Sequence, residues 1–337
     1  MAEPIQKKRH HYVPIAYLNA FADAEGRIFA YRKDAPVTPL HVRPSKIAFE
    51  RYYYSQPLHD GGQDNNRLED FFSTVESPWP SLVADLVAAK DVRDRMEELF
   101  QFMGLLRVRG PAARDPVELH LAHVTRRTAQ RLVRAGELPP PPPGQEALLD
   151  NMAVSIDPHM SIHAMSDMAR GFARLMGFIG FEVVHNTSNE PFITNDNPVQ
   201  VFDPDVPEHS VLPYTVRPPR GRVELLLPIS PRALIRGRSD LPVIRPGMQP
   251  SHVAMASAAE VRRANRFAAR FGYRFIFANH AGLESLVAKY GALSPTIRID
   301  DVPAGATGEL NTMQMVFGPR PQKPKWTPRK PPDAVQE

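Results

Sequence analysis

Three observations along this 337-residue chain predict an α+β fold: alternating apolar and polar runs near the start, a long middle with apolar residues at helical spacing, and short apolar runs again after Gly177. Their order predicts a helical middle section flanked by N-terminal and C-terminal β regions.

Taken in order, residues 12–21 form a short apolar anchor, and residues 27–31 and 37–42 alternate on either side of Lys33-Asp34-Ala35-Pro36, a strand-turn-strand signal. Residues 51–55 are expected to add a strand before the Asp60-Gly61-Gly62 loop. From Asn66 the period turns helical, with Leu68, Phe71, Phe72 and Val75 on one face; Pro78 and Pro80 interrupt it, and Leu82, Val83, Leu86 and Val87 continue it. Asp91 is placed to cap a helix carrying Met96, Leu99, Phe100, Met103 and Leu106, which Gly110-Pro111 stops. A helix is expected over 116–134, followed by a stiff connector at 138–146 built on the prolines 139–143. Asp157 as cap and Pro158 in the first turn begin the next helix, which buries Ile162, Met165, Phe172 and Met176. Strands are then expected at 178–184, 192–194, 223–227, 233–235 and 274–278, with helices near 258–271 and 282–290. This reads as a single α+β domain over 1–302, and the Pro-rich basic segment 303–337 as a largely disordered tail.

Composition narrows the chemistry. A chain with 42% hydrophobic and 23% charged residues buries a sizeable core, and no apolar run approaches the roughly 20 residues that span a bilayer. A charged start in place of an apolar signal core predicts a soluble, cytoplasmic protein with no membrane partner. The absence of cysteine excludes disulfides, thiolate nucleophiles and Cys-ligated metals, so a metal must take His, Asp or Glu. The net charge of +4 sits in the two chain ends, leaving the body nearly neutral. No P-loop, Gly-x-Gly-x-x-Gly or Gly-x-Ser-x-Gly pattern occurs, which argues against P-loop hydrolysis, a Rossmann cofactor and a hydrolase elbow.

Several clusters have residue types that can do chemistry, each beside a plainer explanation. His10 and His11 follow Lys7, Lys8 and Arg9; on an extended chain only one imidazole faces a given site, and the plain reading is a basic tail entering the fold. Glu69 and Glu76, two helical turns apart, could hold a divalent cation or be solvated carboxylates. Asp196 and Asn197 sit in Thr194-Asn195-Asp196-Asn197-Pro198, which is also ordinary turn chemistry. His159, His163 and Asp167, spaced four apart, form a weaker metal alternative or a polar helix face. Nine arginines against five acids between Arg93 and Arg134 make the middle locally basic. There Arg127, Arg131 and Arg134 line one helical stripe that could track phosphates or pair with carboxylates elsewhere. The helix carrying Arg262, Arg263, Arg266 and Arg270 has the same two readings.

The opening His10-His11-Tyr12-Val13-Pro14 with Tyr17, Leu18 and Phe21 is joined downstream by Thr194 to Val199, by Leu227-Pro228-Ile229-Ser230-Pro231-Arg232, and by Asn265. Together these resemble the bacterial domain-of-unknown-function family numbered 4238. The resemblance favours His11 of the pair, supports an acidic role near Glu69 and Glu76, and puts Asn195 where the family has a serine. It implies no activity.

The expectation with the most chemical content is a metal-assisted phosphodiester hydrolase acting on nucleic acid. Its catalytic residues would be His11, Asp196 and Asn197; Glu69, Glu76 and Asp196 would hold Mg²⁺ or Mn²⁺, and Arg127, Arg131 and Arg134 the phosphates. The alternatives are a non-catalytic module that binds nucleic acid or protein, and an accessory component of a larger assembly, which would expose an apolar patch on the helical middle.

Overall fold

The structure, a computed structural model, describes residues 7–58, 62–255, 257–304 and 308–324. The N-terminal part forms β1 (Arg9–His11), α1 (Ile15–Asn19), β2 (Ile28–Arg32), β3 (Ala35–Val42), β4 (Phe49–Arg51), β5 (Gln56–Pro57) and β6 (Gln63–Asp64). The helical middle is α2 (Arg67–Glu76), α3 (Trp79–Val87), α4 (Met96–Val108), α5 (Pro111–Arg134), α6 (Leu148–Asn151) and α7 (Pro158–Met176). The last part is β7 (Gly180–Asn186), β8 (Thr194–Asn195), β9 (Gln200–Phe202), β10 (Glu224–Ser230), β11 (Ala233–Arg238), β12 (Ser251–Met255), α8 (Ala258–Phe271), β13 (Phe275–Ala278), α9 (Glu284–Lys289), β14 (Ser294–Ala304) and β15 (Gly308–Gly318).

The architecture is the expected α+β, with helices in the middle and sheets at both ends. The two β regions are joined by hydrogen bonds. In the four-stranded sheet β3-β2-β13-β8, β13 lies antiparallel between β2 and β8, so Phe277 faces Ala30 on one side and Thr194 on the other. A five-stranded sheet, β12-β7-β11-β10-β9, is antiparallel except where β12 runs parallel to β7. β7 is buried along nearly its whole length, with Glu182 inside it paired to Arg236 of β11. The main core gathers Tyr17, Phe21, Trp79, Leu99, Phe102 and Phe181, with Trp79 and Phe102 stacked at 3.8 Å between centroids.

Three of the differences from expectation have a plain physical reason. The strand expected over 51–55 stops at Arg51, because Tyr52 takes a left-handed φ of 57° and turns Tyr53 and Tyr54 into the core. The helix expected from 116 begins at Pro111 with Gly110 as its cap, and Pro116 lies inside it. The tail assignment from 303 is corrected for 308–318. β15 pairs with β14 along its whole length, satisfying the backbone, and Phe317 seats edge-on against Phe271. Residues 325–337 lie outside the described residues. The connector 138–146 is non-helical and mostly exposed. Among the described residues no helix is long and apolar enough to cross a membrane.

Candidate functional site

The motif side chains are held largely by the chain itself. His10 is buried and stacks on Tyr54; its Nδ1 accepts from the Tyr54 N–H at 2.8 Å, and its Nε2 lies 3.2 Å from the Lys7 carbonyl. His11 turns its Nε2 toward the Ser45 carbonyl at 3.3 Å and packs on Phe49, and burial holds its pKa below the usual imidazole value. Asp196 is buried and gives one oxygen to the Tyr273 N–H (2.7 Å) and the other to the Arg274 N–H (2.8 Å). Burial raises its pKa, opposed by those two donors. Asn197 donates to the Phe271 carbonyl and accepts from the Tyr214 hydroxyl. Both oxygens of Asp196 are therefore spent on joining the β8 turn to the chain that leads from α8 into β13.

Glu76 pairs with Arg109, which is almost fully buried and also reaches the His11 carbonyl and the Tyr54 hydroxyl. Glu69 shares the field of Arg109, yet its Oε1 is buried with no partner, and burial pushes its pKa up to about 7. His159 and His163 do meet, Nε2 to Nε2 at 2.9 Å, while Asp167 turns to Arg170. Among the described residues no group of three or more His, Asp or Glu could hold a metal ion. The proposed Glu69, Glu76 and Asp196 ligands thus do not form one centre: Glu76 is spent on Arg109 and Asp196 on backbone.

The basic helices also divide. On α8, Arg262 pairs with Glu190, Arg263 with Glu224 and Arg266 with Glu208, while Arg270 donates to the carbonyls of Glu208, His209 and Val211. That face is neutralised internally. On α5, Arg127 lies 3.4 Å from Asp301 of β14, whereas Arg131 and Arg134 are exposed.

A site that sequence reasoning missed lies at the start of α5. Asp115 and Glu118, three residues apart on one face, have side chains only 5% and 7% exposed. Tyr273 donates its hydroxyl to Asp115 Oδ2 at 2.7 Å, and the Ser161 hydroxyl, itself held by Arg114 Nε, lies 2.8 Å from Glu118 Oε1. Each carboxylate therefore keeps one oxygen free, and those two converge on the Lys323 ammonium at 2.6 and 2.5 Å. Asp115 lies at the edge of a cavity of about 650 Å³ that Lys33, Arg274, Tyr273 and Arg320 also line. Lys33 is buried in the β2–β3 turn and donates to the Ala269 and Gly272 carbonyls at the end of α8 and to Leu293. Burial pulls its pKa down to about 7. Arg274 pairs with Glu50. The sequence concealed the pair because acids in the first turns of a helix read as solvated groups favoured by its dipole; the i, i+3 spacing was the one available signal.

Fold and site define an α+β protein in which one carboxylate of a hydrogen-bonded pair borders a polar cavity. The family model for a protein of unknown function, DUF4238, matches residues 9–282, and the chain belongs to that family. No curated protein and no solved structure matches the chain.

Proposed function

We propose that the protein is a metal-assisted phosphodiester hydrolase acting on nucleic acid, with its centre at Asp115 and Glu118. The observation that carries this reading is the convergence of two buried carboxylate oxygens on one cation position beside a cavity lined by Lys33, Arg274 and Arg320. Mg²⁺ and Mn²⁺ commonly take one or two protein carboxylates and complete their shell with water and substrate phosphate, so two are enough. The Lys323 ammonium occupies the position between the two oxygens, which supports reading them as a pair that meets one positive charge. A divalent ion there would neutralise phosphate oxygens and acidify a bound water. Tyr273 and Ser161 hold the carboxylates in orientation.

The test is a cleavage assay on labelled single- and double-stranded DNA and RNA with Mg²⁺, Mn²⁺ or chelator, comparing wild type, Asp115→Asn and Glu118→Gln. Metal-dependent cleavage lost in both variants, with melting temperatures retained, supports the reading. Absence of cleavage by wild type and by Lys323→Ala overturns it.

One observation favours a second reading, an accessory component of an assembly. An apolar groove of about 780 Å³ runs between α2, α4 and α7, lined by Phe71, Phe100, Leu105, Ile162, Met165 and Met176, with Phe71 58% exposed.

A further inference from the structure

The cation position between Asp115 and Glu118 is filled by a residue that comes from far along the chain. The family match ends at residue 282, and Lys323 lies beyond it, whereas both carboxylates lie within it. Lys323 is carried on residues 319–324, which leave β15 at Gly318 and pass over the cavity, Pro319 to Lys323 forming part of its wall. Three of those six residues are prolines, which lack the N–H needed to join a sheet. Among the described residues the backbone of this segment makes no hydrogen bond. What holds it are side-chain contacts: Lys323 to Asp115 and Glu118, and Arg320 to Asp34 at 3.6 Å. Hydrogen bonds from Tyr273 and Ser161 keep the two carboxylates where they are without Lys323.

We infer that residues 319–324 are a tethered strap whose Lys323 ammonium competes with a divalent cation for the position between Asp115 and Glu118, so that the site opens when the strap is displaced. This rests on reading the pair as a cation site. The strap detaches without unfolding a sheet because no ladder hydrogen bond must break, and the β14–β15 hairpin keeps it close enough to return.

The experiment is Mn²⁺ titration of the full-length wild type, Lys323→Ala, Lys323→Met and the double variant Asp115→Asn/Lys323→Ala, with free Mn²⁺ read by electron paramagnetic resonance. Nucleic-acid cleavage is measured on the same samples. Lys323→Ala and Lys323→Met are expected to bind Mn²⁺ at least tenfold tighter than wild type, and the double variant to lose that gain. Equal Mn²⁺ affinity in wild type and both Lys323 variants overturns the strap while leaving the hydrolase reading in place. A tenfold gain in affinity with no cleavage in any sample sinks the hydrolase reading and leaves the strap standing. No Mn²⁺ binding by a folded Lys323→Ala overturns both.

Discussion

The Tyr17 hydroxyl lies 2.6 Å from the Thr194 hydroxyl and donates at 2.6 Å to the Pro228 carbonyl, all buried at the centre of the fold. Tyr17 comes from the opening motif, Thr194 from the Thr-Asn-Asp-Asn-Pro turn and Pro228 from the Leu-Pro-Ile-Ser-Pro-Arg element. The late helix joins them: Asn265 accepts from the Ile193 N–H and donates to the Pro191 carbonyl. The elements that mark the family in this chain meet as joints between its β regions.

Tyr17→Phe tests that joint. It removes one hydroxyl and leaves the Pro228 carbonyl and Thr194 hydroxyl without their buried partner, so a loss of about 1–3 kcal/mol is expected in urea denaturation. Unchanged stability would show that the contact is incidental.

Asp196→Asn separates structure from catalysis at the turn. An amide offers one acceptor oxygen where the carboxylate offers two, so either the Tyr273 or the Arg274 N–H is stranded. The expected cost is about 1–3 kcal/mol in unfolding free energy. Any cleavage activity should fall only in step with the folded fraction; a folded, stable and inactive Asp196→Asn would return catalysis to this residue.

Arg109 binds the His11 carbonyl, the Glu76 carboxylate and the Tyr54 hydroxyl, and it lies over the Phe72 ring. Arg109→Met strands Glu76 in a part-buried site, and about 3–5 kcal/mol of destabilisation is expected from removing one partner of a buried pair. Arg109→Lys keeps the charge but not the planar fork, and should recover only part of it by thermal melting.

Glu69 sets a pH dependence. Its pKa rises from 4.5 in the unfolded chain to about 7, so between those values the native state binds more protons than the unfolded state. By linkage its contribution to stability declines as pH rises through that window. Glu69→Gln should therefore be more stable than wild type at pH 8, by about 1–2 kcal/mol after allowance for partial exposure, and show no gain at pH 5. Melting curves at the two pH values decide it; an equal effect at both would place Glu69 in solvent.

The arginine rows should differ in salt response. If nucleic acid docks on α5, Arg131→Ala/Arg134→Ala lowers the slope of log affinity against log salt by about 2. Arg262→Ala/Arg266→Ala should leave that slope unchanged, since both arginines already pair with Glu190 and Glu208. Equal effects from the two pairs would contradict this division of labour.

Most of the fold was legible from periodicity. α2, α7 and α8 fall where the apolar spacing and the Asp157-Pro158 cap put them, and Asp157 accepts from the His159 N–H as a cap should. β9 and β12 were not legible, because strands of three and five residues leave too short a pattern, and the eleven-residue β14, interrupted by Asp300-Asp301 and Pro303, carried no expectation either. Nor was the insertion of β13 between β2 and β8, a pairing between distant parts of the chain that local preference does not encode.

By itself, then, the sequence determined the α+β class, the grouping of helices between two β regions, the exclusion of thiol chemistry and, through its motifs, the family. These rest on local spacing and residue type, which short windows carry. Tertiary structure alone decided which charged groups are spent and which remain available. It consumed Asp196, Glu76 and the α8 arginines in internal contacts and brought Asp115, Glu118 and Lys323 together. The physical reason is that a charge acts according to its burial and its partners, and both are set by residues tens to hundreds of positions away.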